Sequence, residues 1–231
     1  MTSTAIGRLA KYFSAAPLKS VDFVVNLIVD SVRNSRARSM FTDVVISGKQ
    51  GMGKSTLALY IMYKYYDYDA ERVLNNVFFT PEDLIEDLSV IKRELVLLDD
   101  AGVSLTKYRA MSAEAVDFVI FLNPIRTRVH GLLYTTVYNN IVKFVRVTSE
   151  YLIILQHRHG DIVHGVLRRT HVGRLGAYKR DVCEFVMDLD ELHRDPDFHR
   201  LYTEYSTMRE QFAVDVLKSL LERIKGRKKT L

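Results

Sequence analysis

Between residues 19 and 36, KSVDFVVNLIVDSVRNSR, the apolar residues Val21, Val24, Val25, Ile28, Val29 and Val32 recur at helical spacing. One apolar stripe with polar residues around it predicts an amphipathic helix. The pattern changes at FTDVVISG, a short continuous run rich in β-branched residues that ends at a glycine. Such a run predicts a strand buried on both faces. A glycine-rich stretch follows, and then STLALYIMYKYY, whose apolar residues suit a helix lying on a sheet. The run NNVFF predicts a second strand ending near Phe79. Thr80 is placed to cap a helix that has Pro81 at its first position and Glu82 and Asp83 in its first turn.

RELVLLDDAG predicts a third apolar strand, closed by two acids. MSAEAVDFVIFLNPIRTRV predicts a helix, and GLLYTTVYNN a fourth strand running into polar residues. Alternating strands and helices imply a parallel sheet covered on both faces. The rhythm then breaks. EYLIILQHRHGDIVHGVLRRTHVG holds two β-rich runs around HGD, a hairpin signal. KRDVCEFVMDLDEL adds a further strand, and PDFHRLYTEYSTMREQFAVDVLKSLLERIKG predicts one long helix. The expected fold is therefore α/β: a parallel sheet flanked by helices, with a C-terminal antiparallel hairpin region and a long terminal helix. Four segments are expected: a helical lead at 1–37, a core at 38–150, a hairpin extension at 151–189, and a terminal helix with a basic tail at 190–231.

Composition narrows the picture modestly. Of the 231 residues, 48% are hydrophobic and 26% charged, an ordinary globular balance. A single cysteine, Cys183, excludes an intramolecular disulfide and a cysteine-based metal site. No apolar run reaches the length of a membrane span, and MTSTAIGRLAKYF has no secretory core, so a cytoplasmic protein without a membrane partner is expected. Absence of Trp together with few Pro fits a thermophilic source. The net charge of +5 permits a polyanionic partner without requiring one.

Chemistry enters at Gly48-Lys49-Gln50-Gly51-Met52-Gly53-Lys54-Ser55, which matches the Walker A pattern G-x-x-x-x-G-K-[ST]. The glycines let the loop wrap closely, turning backbone N–H groups toward a phosphate. Lys54 can reach the β- and γ-phosphate oxygens, the Ser55 hydroxyl can ligate Mg²⁺, and Thr56 opens a helix whose dipole favours the anion. The loop follows a predicted strand and precedes a predicted helix, as a P-loop NTPase requires. The same chemistry needs a carboxylate at the end of a neighbouring strand to hold the Mg²⁺ shell. LVLLDDAG supplies Asp99 for that role, and Asp100 sits where the acid that activates water belongs. No N-K-x-D guanine signature is present, so ATP is the expected nucleotide.

The strand end L-L-D-D-A-G resembles the L-L-I-D-D-x-G of DnaC-type helicase loaders and their DnaA-type AAA+ relatives. The arrangement is also similar to small DnaA-like ATPases of viruses and plasmids of hyperthermophilic archaea. The match spans about residues 40 to 150, joined by a C-terminal Y-x-x-Y-x-x-x-R run from Tyr202 to Arg209. The resemblance implies an ATPase of the ASCE class, in its AAA+ or RecA-like branch. It further implies ATP-driven assembly on DNA, as in replication initiation or helicase loading, a homo-oligomeric ring, and a helicase or other replication protein as partner. A polar sensor at the end of the fourth strand is implied as well, here Thr135 or, by preference, Thr136. It implies also an arginine donated by a neighbouring subunit, for which Arg146 fits best and Arg126 and Arg128 are earlier candidates. Residues 151–187 are β-rich where that family has a small helical domain. The departure keeps open a RecA-like or genome-packaging motor that moves along DNA. A small-molecule kinase and a non-hydrolysing nucleotide switch are the remaining alternatives.

His157, His159, His164 and His171 fall around the predicted hairpin with Asp161, but their spacing matches no zinc pattern. Arg158, Arg168, Arg169, Arg174, Lys179 and Arg180 lie in the same segment near Tyr178. Such residues suit contacts to the DNA backbone, without sequence preference.

Overall fold

A computed structural model of the chain describes residues 18–100, 124–137, 149–173 and 176–228. Among these, strands β1 (Leu18–Ser20), β2 (Thr42–Gly48), β3 (Val77–Phe78), β4 (Arg93–Leu98) and β5 (Val129–Val137) precede a longer trio. That trio is β6 (Tyr151–His159), β7 (Ile162–Gly173) and β8 (Gly176–Asp188). The helices are α1 (Val21–Ala37), α2 (Lys54–Tyr65), α3 (Ala70–Leu74), α4 (Pro81–Val90), α5 (Leu189–His193) and α6 (Pro196–Lys228).

All eight strands form one sheet in the order β1-β8-β7-β6-β2-β5-β4-β3. Pairing is parallel except at β6–β7 and β7–β8. The sheet is thus the mixed α/β architecture expected from the alternating pattern. Its antiparallel part is continuous with the parallel part, because β6 pairs directly with β2. Every residue of β2 is buried, as its uninterrupted apolar run predicts for a strand with neighbours on both sides.

Two hydrophobic layers fill the two faces. On one, the predicted α1 stripe from Val21 to Val32 is wholly buried, with α2, the start of α6 and the side chains of Val44, Ile46, Leu97 and Phe185. Helix α2 is apolar around most of its circumference because the sheet covers one side and α1 and α6 cover others. On the opposite face, Leu84 and Leu88 of α4 pack with Val45, Val96, Leu98 and Tyr134. The Thr80 hydroxyl accepts from the Asp83 amide at 3.1 Å with Pro81 in the first turn, so α4 starts where its cap predicts. The helix expected from MSAEAVDFVIFLNPIRTRV lies mostly outside the described residues.

This topology decides where chemistry can occur. β5 is inserted between β2 and β4, and the carboxyl ends of β2, β4, β5 and β6 reach the same edge of the sheet. In open α/β sheets ligands bind beyond that edge.

Candidate functional site

Gly48 ends β2 against β6, where an added Cβ would stand 2.9 Å from the Leu155 carbonyl oxygen. No side chain fits there. Gly53, at φ 79°, turns the chain into α2, and a Cβ on it would meet Leu189 at 2.8 Å. The left-handed backbone and the close approach of α5 both call for glycine. Between them the loop folds over itself. The Lys54 side chain, almost wholly buried, donates from Nζ to the Lys49 carbonyl at 2.9 Å. Burial lowers its pKa, while Asp100 and Asp99 pull it back upward. Met52 and Thr56 are buried, whereas Lys49, Gln50 and Gly51 face outward.

The acidic side of the site is built on Asp99, which has no exposed surface. Its Oδ1 accepts from the Ser55 hydroxyl at 2.9 Å and from the Thr135 hydroxyl. Its Oδ2 accepts from the Tyr205 phenol, and the Arg209 guanidinium stands 3.9 Å away. A buried carboxylate needs such partners, because each unmet acceptor is costly away from water. Asp100 follows in the left-handed region, at φ 51°. Its amide donates to the Thr135 Oγ1 at 2.8 Å and its carboxylate pairs with Arg209. The Ser55 hydroxyl and Asp99 carboxylate are hard oxygen donors within reach of each other, and so fit Mg²⁺.

These groups surround a cleft of about 720 Å³, lined by residues 50–56 together with Asp100, Arg158, His193, Tyr202 and Arg209. Arg158 projects from the end of β6, and its Nη1 donates to the Gly51 carbonyl at 2.5 Å while Nε donates to Gly160 O at 2.7 Å. It therefore ties the hairpin to the phosphate loop.

The structure brings the residues from Gly48 to Thr56, Asp99 and Asp100 together. Of the two threonines it is Thr135 that touches both acids. Thr136, the preferred sensor in the sequence, is buried and donates to Val137 O at 3.2 Å. Arg146 lies outside the described residues. Arg126 sits over the Phe41 ring and Arg128 donates to Leu88 O at 2.7 Å, both beside the start of β5 and away from the cleft. The histidines are split: His157 pairs with His164 near the phosphate loop, whereas His171 stacks on Tyr178 near the far end of the β7–β8 ribbon. Among the described residues no group of three or more His, Cys, Asp or Glu could hold a metal. The pattern of the Tyr202–Arg209 run assigns no role to Tyr205 or Arg209, and the sequence shows Arg158 just as one of several basic hairpin residues.

No protein-family model matches the chain. It is 26% identical over 221 residues to uncharacterized protein B-251 of Sulfolobus spindle-shape virus 1, covering 85% of each chain. It is 27% identical over 132 residues to uncharacterized protein ORF286 of Acidianus two-tailed virus, covering 52% of this chain and 45% of that one. Among solved structures it is similar to the N-terminal domain of zonular occludens toxin from Neisseria meningitidis, at 12% identity and a TM-score of 0.41, over 62% of this chain and 93% of that one. A KaiC-like protein from Pyrococcus horikoshii has 13% identity and a TM-score of 0.35, over 61% of this chain and 90% of that one. The flagellar accessory protein FlaH from Methanocaldococcus jannaschii has 12% identity and a TM-score of 0.34, with the same coverage.

Proposed function

We propose that the protein binds ATP with Mg²⁺ at residues 48–56 and hydrolyses it to ADP and phosphate. The observation that carries this reading is the single cluster in which Ser55, Asp99, Thr135 and the Asp100 amide are linked by hydrogen bonds beside Lys54. Lys54 would leave the Lys49 carbonyl for the β- and γ-phosphates, a stronger, charge-assisted contact. Ser55 and Asp99 would hold Mg²⁺, which neutralises charge on the phosphate oxygens when bound. Asp100 would orient the attacking water and take its proton. Thr135 fixes the Asp99 carboxylate and the Asp100 main chain, and it takes the sensor position in this proposal.

Hydrolysis is proposed to drive nucleoprotein assembly or remodelling on DNA, such as replication initiation or helicase loading. Support comes from the acid pair's resemblance to helicase loaders and from likeness to proteins of two viruses, which also fits a host-cytoplasmic setting. The DNA contact is proposed on the β7–β8 ribbon, which runs past the start of β6 and exposes Tyr178 and Arg180. Arg168 and Arg169 there are paired with Asp181 and Glu150, at 2.7 and 2.8 Å, so phosphates would have to compete for them. A translocating or packaging motor is the second reading, favoured by β7 and β8 extending the ATPase sheet itself.

Turnover of ATP by the purified protein, with and without single- and double-stranded DNA, tests both. Hydrolysis that needs Lys54 supports the site. Phosphate passed to a small acceptor, or no hydrolysis under any condition, overturns it. Strong stimulation by duplex DNA favours the motor.

A further inference from the structure

Helix α6 is used unevenly along its length. Its first half is docked: Phe198, Leu201 and Tyr205 are buried, and Phe212 stacks on Phe79 at a ring separation of 5.0 Å. Beyond Phe212 the helix continues to Lys228, about 24 Å at 1.5 Å per residue. There Val214, Val216, Leu217, Leu220, Leu221 and Ile224 are all exposed, Leu217 by 65% and Ile224 by 54%. Contiguous exposed apolar surface of this kind marks an interaction site.

The arrangement of these residues says what covers it. Ala213, Leu217, Leu220 and Ile224 follow each other at spacings of four, three and four, the seam of a coiled coil. The opposite face carries Gln211, Asp215, Lys218, Glu222 and Lys225, where Gln211 and Lys218 both bond to Asp215. The basic excess of Lys225, Arg227 and Lys228 follows the seam. Between Ala213 and Ile224 two acids, Asp215 and Glu222, balance two bases, Lys218 and Arg223, so the polar face alongside the seam is mixed in charge. An interfacial membrane helix instead needs a predominantly basic one.

We infer that the α6 segment from Ala213 to Ile224 is a self-association surface, pairing antiparallel with the same segment of a second copy. In that register Ala213 faces the partner's Ile224 and Leu217 faces the partner's Leu220, so small meets large at the ends and leucine meets leucine at the centre. A parallel pairing would instead put alanine against alanine and leave a gap. Antiparallel pairing is isologous, each contact occurring twice, and it places the two docked bodies at opposite ends of the seam. The inference does not depend on ATP hydrolysis.

Light scattering of the full-length protein tests it. A seam of this length is at the small end of stable interfaces, so the mass should rise toward the dimer across about 1–100 μM. Leu217→Glu and Leu220→Glu should each weaken association by roughly a thousand-fold, because each substitution removes a buried leucine from both copies, with an unchanged melting temperature. Register is read by cysteine pairing, since native Cys183 is buried. A mixture of Ala213→Cys and Ile224→Cys chains should form the mixed disulfide, whereas Ala213→Cys alone should not crosslink. A monomer at every concentration, a dimer indifferent to both leucine variants, or efficient Ala213→Cys self-crosslinking would overturn the proposal. So would a monomer whose leucine variants lose binding to vesicles of anionic lipid.

Discussion

The phenol of Tyr205 donates to Oδ2 of Asp99 across 106 positions of sequence, and both side chains are buried. The terminal helix is thereby fastened to the carboxylate at the centre of the candidate site. Burial raises the Tyr205 pKa, and the Asp99 charge raises it further, so the phenol keeps its proton to donate. Tyr205→Phe removes one hydrogen bond to a buried charge and leaves the ring packing in place. The expected loss is about 1.5–3 kcal/mol of folding stability, read by urea denaturation. A loss below about 0.5 kcal/mol would show that Ser55 and Thr135 suffice to satisfy Asp99.

One turn further along the same helix, Arg209 pairs with Asp100 and lines the cleft. Asp100→Asn tests the acid cleanly, because asparagine tolerates the left-handed backbone at φ 51° and still offers an oxygen to Arg209. It should bind ATP within a few-fold of the unaltered protein but hydrolyse it about 10²–10³-fold more slowly. Arg209→Ala should lower turnover by at least roughly ten-fold, since a preorganised positive charge lining the proposed nucleotide cleft is lost. Single-turnover kinetics with equilibrium binding separates these effects. Unchanged turnover in Arg209→Ala would make the ion pair purely structural.

The two threonines of β5 give a paired comparison. Thr135→Val keeps shape and β-propensity but removes the hydroxyl that bonds to Asp99 and to the Asp100 amide. Turnover should fall by roughly 10–100-fold. Among the described residues the Thr136 hydroxyl bonds to the Val137 carbonyl and to neither acid, so Thr136→Val should change turnover less than about three-fold. The reverse order of effects would restore Thr136 as the sensor.

That comparison also shows what the sequence could carry. The phosphate loop, the α1 stripe and the Thr80 cap were legible because each is a local pattern with a local physical cause. Adjacent β-branched residues point to opposite faces of a strand, so choosing between Thr135 and Thr136 needs the register of β5 against β4. Tyr205 and Arg209 stand four apart, which puts them on one face of a helix. No local signal says that this face meets acids a hundred residues earlier. Likewise the histidines crowd one stretch of sequence, yet a long hairpin carries His171 to the opposite end from His157. Arg158 reaches the phosphate loop only because β6 outruns β2.

At the other end of β2, Asp43 gives a pH-dependent prediction. Burial raises its pKa to about 6, although the Glu150 amide donates to it at 2.8 Å and Lys179 and Arg126 favour its charge. An acid whose folded pKa lies above its ordinary value of 3.8 stabilises the fold most when protonated in both states. That contribution is lost as pH rises toward 6, and it stays lost above. Asp43→Asn keeps the acceptor for the Glu150 amide and has no charge to bury. Its stability relative to the unaltered protein should therefore improve between pH 4 and pH 7, by about 1–3 kcal/mol. Lys179, whose own pKa burial lowers to about 8, loses a favourable charge in the variant and pulls the gain toward the lower figure. Urea denaturation of both proteins at the two pH values reads the difference directly. A gap that stays constant or narrows with rising pH would mean that Asp43 is already ionised in the folded protein at pH 4.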